Sequence, residues 1–336
     1  MKHKQILLAH GSGGSMMHEL IRNLFLPAFD NPLLRQGNDQ AVFENPGGRI
    51  AFTTDSYVVH PVVFPGGTIG ELAIHGTIND LAMCGAQPLG LSVGMILEEG
   101  LDMALLEDIV QRMKRASDEA GVPVVTGDTK VVERGSCDKI FINTSGIGIV
   151  PDGVHIDGAK ALPGDAVLIS GGMGDHGVAV MSERKGVKFS TPVTSDTQAL
   201  HRLVARMLEV TKEIHVLRDP TRGGVATTLN EIAAQSRCGI EIDEQLLPLA
   251  PAVTGACDLL GLDPLYLANE GKLIAILPER YAGEMLAAMR AMHEGAEACL
   301  IGRVTADLPG IVRMRTPIGG TRIVSVLTGE MLPRIC

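Results

Sequence analysis

Residues 101–130 read LDMALLEDIVQRMKRASDEAGVPVVTGDTK. Apolar residues recur at three- and four-residue spacing through 101–120, which predicts a strong amphipathic helix. Gly121 and Pro123 close it, because glycine takes the left-handed cap and proline cannot continue the helix. Val122 to Thr126 reads as a short apolar strand, and Gly127-Asp128-Thr129-Lys130 follows at its end. The same mixture extends outward. Upstream are an amphipathic stretch over 15–29 stopped by Asn31-Pro32, strands over 50–53 and 57–63, a helix of small and apolar residues over 68–83, and a buried strand over 89–97. Downstream are strands over 140–150, 166–170, 239–243 and 272–277, with helices over 196–211, 223–236 and 279–292. Strands and helices interleaved in both halves indicate an α/β or α+β fold.

The chain has 336 residues, enough for two domains of ordinary size. The expected division is 1–155, 156–327 and a mobile tail over 328–336. A content of 45% hydrophobic and 20% charged residues supports a sizeable core. With a formal charge of −10, 3% aromatic residues and no Trp, the chain lacks both the basic footprint and the stacking platform of a nucleic-acid binder. The six cysteines form no C-x-x-C pair, so zinc and dithiol motifs are unsupported. The N-terminal apolar run is too short for a signal sequence and no run is long enough to span a bilayer, so a reducing cytoplasm is the expected setting.

Several aspartates stand beside Gly, Thr or Asn at expected breaks between elements: Asp39, Asp55, Asp80, Asp128 and Asp219. Each alone reads first as a cap or turn residue, although Asp80 lies inside an otherwise small and apolar helix. If several converge, their repulsion requires a hard cation, and carboxylates with phosphate oxygens suit Mg²⁺. Lys130 is then placed to meet a phosphate. The loops His10-Gly-Ser-Gly-Gly14 and Asp219-Pro-Thr-Arg-Gly-Gly224 each open a helix and can offer backbone N–H groups to an anion. No Walker A or G-x-G-x-x-G pattern occurs. Asn269-Glu270-Gly271-Lys272 precedes a strand, where Glu270 reads as a turn carboxylate or as a base. The chain ends Pro333-Arg334-Ile335-Cys336, a thiol that is either a frayed end or a nucleophilic carrier. A prenylation signal needs its Cys where Pro333 stands.

Taken together, Thr54-Asp55, Asn79-Asp80, Gly127-Asp128-Thr129-Lys130, Asp219-x-Thr-x-Gly-Gly, Asn269-Glu270-Gly271-Lys272 and the Cys-ending tail resemble the HypE family, the carbamoyl dehydratases of nickel–iron hydrogenase maturation. The first five motifs recur loosely in a superfamily of ATP-dependent synthetases that includes aminoimidazole ribonucleotide synthetase, selenide water dikinase and thiamine-monophosphate kinase. The tail discriminates among them. The resemblance implies two α/β domains, with a dimer built through the N-terminal domains around a shared β-barrel. It implies ATP and Mg²⁺, with Asp39, Asp55, Asp80, Asp128 and Asp219 at the metal. The nucleotide would be met by Gly11, Gly13, Gly14, Asn79, Thr129, Lys130, Thr221, Gly223 and Gly224. Cys336, Lys130 and Glu270 would be catalytic, with Arg334 helping to lower the Cys336 pKa. The implied partners are the carbamoyltransferase HypF and the scaffold pair HypC and HypD, which receives cyanide. Two other readings stand beside this one: an ATP-using enzyme acting on a free small molecule, and a non-enzymatic scaffold docking through its tail.

Overall fold

The computed structural model describes residues 4–11, 15–36, 43, 47–186, 191–326 and 334–336. Ser15–Leu20 (α1), a π turn over Ile21–Phe25 and Leu26–Phe29 (α2) form one helical stretch. Asn31 ends it, accepting from the N–H groups of Leu33 and Leu34 and donating to the carbonyls of Phe29 and Val124.

The N-terminal strands are Arg49–Tyr57 (β1), the short pair Val63–Phe64 (β2) and Gly67–Thr68 (β3), Gln87–Glu98 (β4), Val124–Val132 (β5) and Ile140–Val150 (β6). The main sheet has four strands in the order β1-β6-β4-β5, all antiparallel except the β4–β5 pair. It is an open sheet in the single chain. Ile69–Met83 (α3) starts on a capping box between Thr68 and Glu71. Met103–Ala120 (α4) starts on Asp102 and ends on Gly121 at φ +70°, and it connects the parallel strands.

Two expectations change here. The strand expected over 57–63 does not form, because β1 runs on through Tyr57 and the backbone of 58–60 pairs with the tail instead. Asp55 and Asp128 do not sit at breaks; each lies within a strand, β1 and β5.

The C-terminal sheet has seven strands: Asp165–Ile169 (β7), Val216–Arg218 (β8), Gly239–Asp243 (β9), Ile274–Pro278 (β10), Cys299–Thr305 (β11), Val312–Arg315 (β12) and Thr321–Val324 (β13), in the order β13-β12-β9-β11-β7-β10-β8. Beyond Asp165, β7 and β10 are apolar along their length because both faces are covered. Val167, Ile169, Ile274 and Ile276 face one core with Gly224–Ser236 (the helix after β8). Ala166, Leu168, Ala275 and Leu277 face the other, with His201–Val210 and Ala282–Arg290. The helix Asp175–Lys185 and the last three strands carried no clear sequence signal.

The helix α3 is buried on nearly every side because it lies between the two domains, touching β1 and β6 of one and β8 of the other. The helix expected over 196–211 begins only at His201. Residues 194–199 are an extended strap along the domain boundary, held by what they bind. Ser195 N donates to Pro65 O, Asp196 Oδ1 accepts from Glu270 N at 3.1 Å, and Gln198 Nε2 donates to Gly271 O. Gly271 lies so close beneath this strap that a Cβ would stand 1.9 Å from the Asp196 carbonyl. Gly271→Ala is therefore expected to lower stability by about 1–3 kcal/mol, read as an earlier urea midpoint; an unchanged midpoint would mean that the strap yields freely.

Candidate active site

Alternation along β1 turns Thr53, Asp55 and Tyr57 inward toward α3. There Thr53 Oγ1 donates to Asp80 Oδ2 at 2.8 Å. The loop after β8 brings Asp219 to the same place, and Asn269-Glu270 enters from the C-terminal domain. Gly223 and Gly224 shape the loop: both have positive φ, and a Cβ on Gly224 would stand 2.5 Å from the carbonyls of Leu265 and Leu267. The backbone thus demands glycine at 224 before any ligand does. Asn79 is buried and fully engaged, donating to the carbonyls of Gln198 and Glu270 and accepting from Leu200 N at 2.8 Å. It positions the Glu270 loop.

The tail expected to be mobile is docked over its last three residues. Val58 N donates to Cys336 O and His60 N to Arg334 O, each at 3.2 Å. His176 lies 2.8 Å from Ile335 O, and the Ile335 side chain is buried in the N-terminal core. This puts the Cys336 thiol within electrostatic reach of Glu270, Arg222, Asp55 and Asp219.

The charges are strongly unbalanced. Glu270 is buried, its Oε1 has no hydrogen-bond partner among the described residues, and its pKa lies well above the carboxylate range. Burial is the main cause, followed by the charges of Asp196, Asp219 and Asp55. Asp219 is pushed up to about 7 by burial and by Asp80. Asp80 is raised by burial, opposed by the Thr53 hydrogen bond and reinforced by Asp55. The Cys336 thiol is raised far above its usual value by burial and by Glu270, and Arg222 opposes the shift. The docked sulfur is therefore a neutral thiol. Arg334 does not supply the expected activation, because its guanidinium is spent on Val58 O and Asp138, both at 2.9 Å. Arg222, one residue from an expected nucleotide contact, is the cation that acts on the sulfur.

The expected metal set divides. Asp55, Asp80 and Asp219 gather beside the tail. Asp128 and Lys130 lie on β5, the opposite edge of the sheet from β1, paired with each other at 3.5 Å and well exposed. Three strand spacings separate the two edges, roughly 14 Å. Thr129 is buried beside an apolar recess of about 130 Å³ lined by Met17, Ile21, Phe25 and Val93. Gly11 ends a short 3-10 turn, while Asp39, Gly13 and Gly14 lie outside the described residues. No three acidic, His or Cys side chains among the described residues enclose a metal by themselves. The crowded carboxylates and the orphaned Glu270 oxygen nevertheless suit a hard cation that takes part of its shell from phosphate and water.

Two family models match the chain: AIR synthase related protein, N-terminal domain, over residues 37–150, and its C-terminal domain over 163–314. Carbamoyl dehydratase HypE of Cupriavidus necator is 56% identical, covering 100% of this chain and 96% of that protein. The chain belongs to the HypE family of carbamoyl dehydratases. A crystal structure of the hydrogenase maturation protein HypE in complex with ATP superposes with a TM-score of 0.95 at 54% identity, covering 98% of this chain and 99% of that one. A HypE–HypF complex gives 0.81 at 46% identity, covering 94% and 100%.

Within this HypE-family chain, the sequence reading passed over His176, Asp196 and Arg222. Arg222 stood inside a quoted motif and had a signal to find it by. His176 and Asp196 had none, because their partners are distant in sequence.

Asp219 carries a pH prediction. An acid whose pKa is raised by folding keeps its proton after the unfolded chain has lost it, so ionisation costs stability as pH rises from about 4 toward the native value. Without nucleotide or metal, thermal stability is expected to decline from pH 5 to pH 8. Asp219→Asn should raise the melting temperature at pH 8 more than at pH 5. An equal shift at both would show that Asp219 is ionised throughout.

Proposed function

We propose that the chain removes water, at the expense of ATP, from a carbamoyl group carried on the Cys336 sulfur, leaving a thiocyanate whose cyanide passes to the iron of a nickel–iron hydrogenase. The observation that carries this reading is the docked tail, which buries the sulfur within electrostatic reach of the Glu270 carboxyl and the carboxylates of Asp55 and Asp219. An enzyme for a free small molecule would have to vacate that space, and a scaffold would have no use for a buried acid there.

An amide oxygen is a poor leaving group, and phosphorylation makes it a good one. The thiocarbamate oxygen attacks the γ-phosphorus of ATP and ADP departs. The amide nitrogen then gives up two protons as the C–O bond breaks, one to the base and one to the departing phosphate, which carries off the former amide oxygen, and the C≡N bond remains on sulfur. Glu270 takes a proton, since a carboxyl with a raised pKa is a stronger base once ionised. Asn79, Asn269 and Asp196 hold its loop. Lys130 meets the transferring phosphoryl group. Asp55, Asp80 and Asp219, with Asp128 and Asp39, would hold Mg²⁺, which neutralises phosphate charge when bound.

The chain works as a dimer through the outer face of the four-stranded sheet, which exposes Ile50, Phe52 and Ile96 by 60%, 72% and 42%. Two such sheets would close a barrel and bring β5 of one copy, with Asp128 and Lys130, toward β1 and the tail of the other. HypF loads Cys336, and HypC with HypD accept the cyanide. No helix among the described residues is long and apolar enough to cross a membrane, and all six cysteines are free thiols, which suits a cytoplasmic setting.

Intact-protein mass spectrometry with HypF, carbamoyl phosphate and MgATP tests the chemistry. A carbamoyl adduct should convert to a cyano adduct lighter by one water, and Cys336→Ala should carry neither; adducts on that variant would remove Cys336 from the mechanism. Mixed dimers test the shared site. Cys336→Ala and Lys130→Ala chains, each inactive alone, should recover activity on subunit exchange, whereas inactive mixtures would mean that each chain acts by itself.

A further inference from the structure

The docked tail is held from both sides by its three carbonyls. Those of Arg334 and Cys336 accept from the backbone of His60 and Val58 in the N-terminal domain, while that of Ile335 turns to His176 in the C-terminal domain. His176 is fully buried, its ring set edge-on against Phe64 with centroids 5.3 Å apart.

The hydrogen bonds fix its tautomer. A carbonyl can only accept, so Nε2 carries the proton and donates to Ile335 O at 2.8 Å. Burial depresses the ring's pKa, so the imidazole is neutral and Nδ1 is an acceptor. The Ser195 hydroxyl, 2.8 Å away, donates to it and accepts in turn from Thr197 N at 3.2 Å. Ser195 lies in the interdomain strap. Its neighbour Asp196 accepts from Glu270 N and pairs with Lys272 at 3.3 Å. A continuous run of bonds thus joins the tail backbone, through His176, Ser195 and Asp196, to the loop carrying the base.

We propose that His176 is a positioning residue that registers the docked tail, holding the Ile335 carbonyl so that the group on Cys336 stands at Glu270, with Ser195 fixing the tautomer that does so. This rests on Cys336 being the carrier. The bond it invokes is intramolecular and is used only during dehydration; loading by a carbamoyltransferase requires the sulfur outside the cleft. Loss of the bond should therefore impair dehydration and spare loading, a split that general damage to the fold would not produce.

The test compares full-length wild type with His176→Phe, which keeps the ring but not the donor, and His176→Gln, whose amide N–H can reach the same carbonyl. Alkylation of Cys336 by a maleimide reports docking whatever the enzyme's chemistry is. Losing one buried hydrogen bond should speed it about tenfold in His176→Phe, and His176→Gln should largely restore protection. Single-turnover dehydration of pre-carbamoylated protein should slow in His176→Phe while carbamoyl uptake is undiminished. Unchanged alkylation in His176→Phe overturns the proposal, as does carbamoyl uptake that falls in step with dehydration. If His176→Phe does not fold, Ser195→Ala replaces it, with faster alkylation expected and an unchanged rate again overturning the proposal. Alkylation that responds while no variant, wild type included, dehydrates would leave the docking role intact and remove the dehydratase reading instead.

Discussion

The architecture depends on one buried amide. Asn79 projects from a helix enclosed by both domains and makes three hydrogen bonds, to the carbonyls of Gln198 and Glu270 and from the N–H of Leu200. All three partners belong to the other half of the chain. Asn269 answers from that half, accepting from Gly174 N and donating to Pro220 O and Leu267 O. Leaving a buried partner of such a group unpaired costs about 1–3 kcal/mol. The two asparagines therefore fix the strap, the Glu270 loop and the loop before Gly223 relative to one another. The ligand-facing residues inherit their geometry from these amides.

On that frame sits an excess of negative charge. Asp55, Asp80, Asp219 and Glu270 raise one another's pKa values or that of Cys336, and the cation offsetting them at the sulfur is Arg222. Thiol attack needs thiolate. Burial and Glu270 favour the thiol form of the docked sulfur, so the proposed loading suits the undocked tail better. The same surroundings suit the loaded state, because a thiocarbamate is neutral and a buried base with a raised pKa is what its amide protons require.

Much of this was legible in the sequence, for identifiable reasons. The helix over 101–120 and the strand over 140–150 have one dominant period and clear caps. Asp55, Asp80, Asp219 and Glu270 each have an ordinary structural reading alone, and it is the set of motifs taken together with the Cys-ending tail that singles them out. Other features were hidden. The strap over 194–199 carries helix-compatible residues, yet partners across the domain boundary hold it extended. Asp128 and Lys130 look contiguous with the other acids in a list of motifs, but strand order puts them on the opposite edge, and order in a sheet is not local information. His176 looks like an ordinary core histidine until the tail, 159 residues away, is laid against it.

The proposed loading of Cys336 outside the cleft requires docking to be reversible, and the tail's composition sets opposing terms against one another. Burying Ile335 contributes on the order of 1.5–3 kcal/mol, and each net hydrogen bond about 1 kcal/mol. Against these stand the ordering of a free chain end and the left-handed backbone of Arg334 at φ +52°, which costs a non-glycine residue on the order of 1–3 kcal/mol. Arg334 is held there by its bonds to Val58 O and Asp138, and Arg184 donates to its carbonyl at 2.8 Å. These opposed terms together set how firmly the tail is held. A glycine at 334 would remove the strain but also the anchor. The contacts that hold the thiol in the cleft thus lie in the last three residues and their few partners, so the proposed withdrawal would break these bonds and leave both domain cores folded.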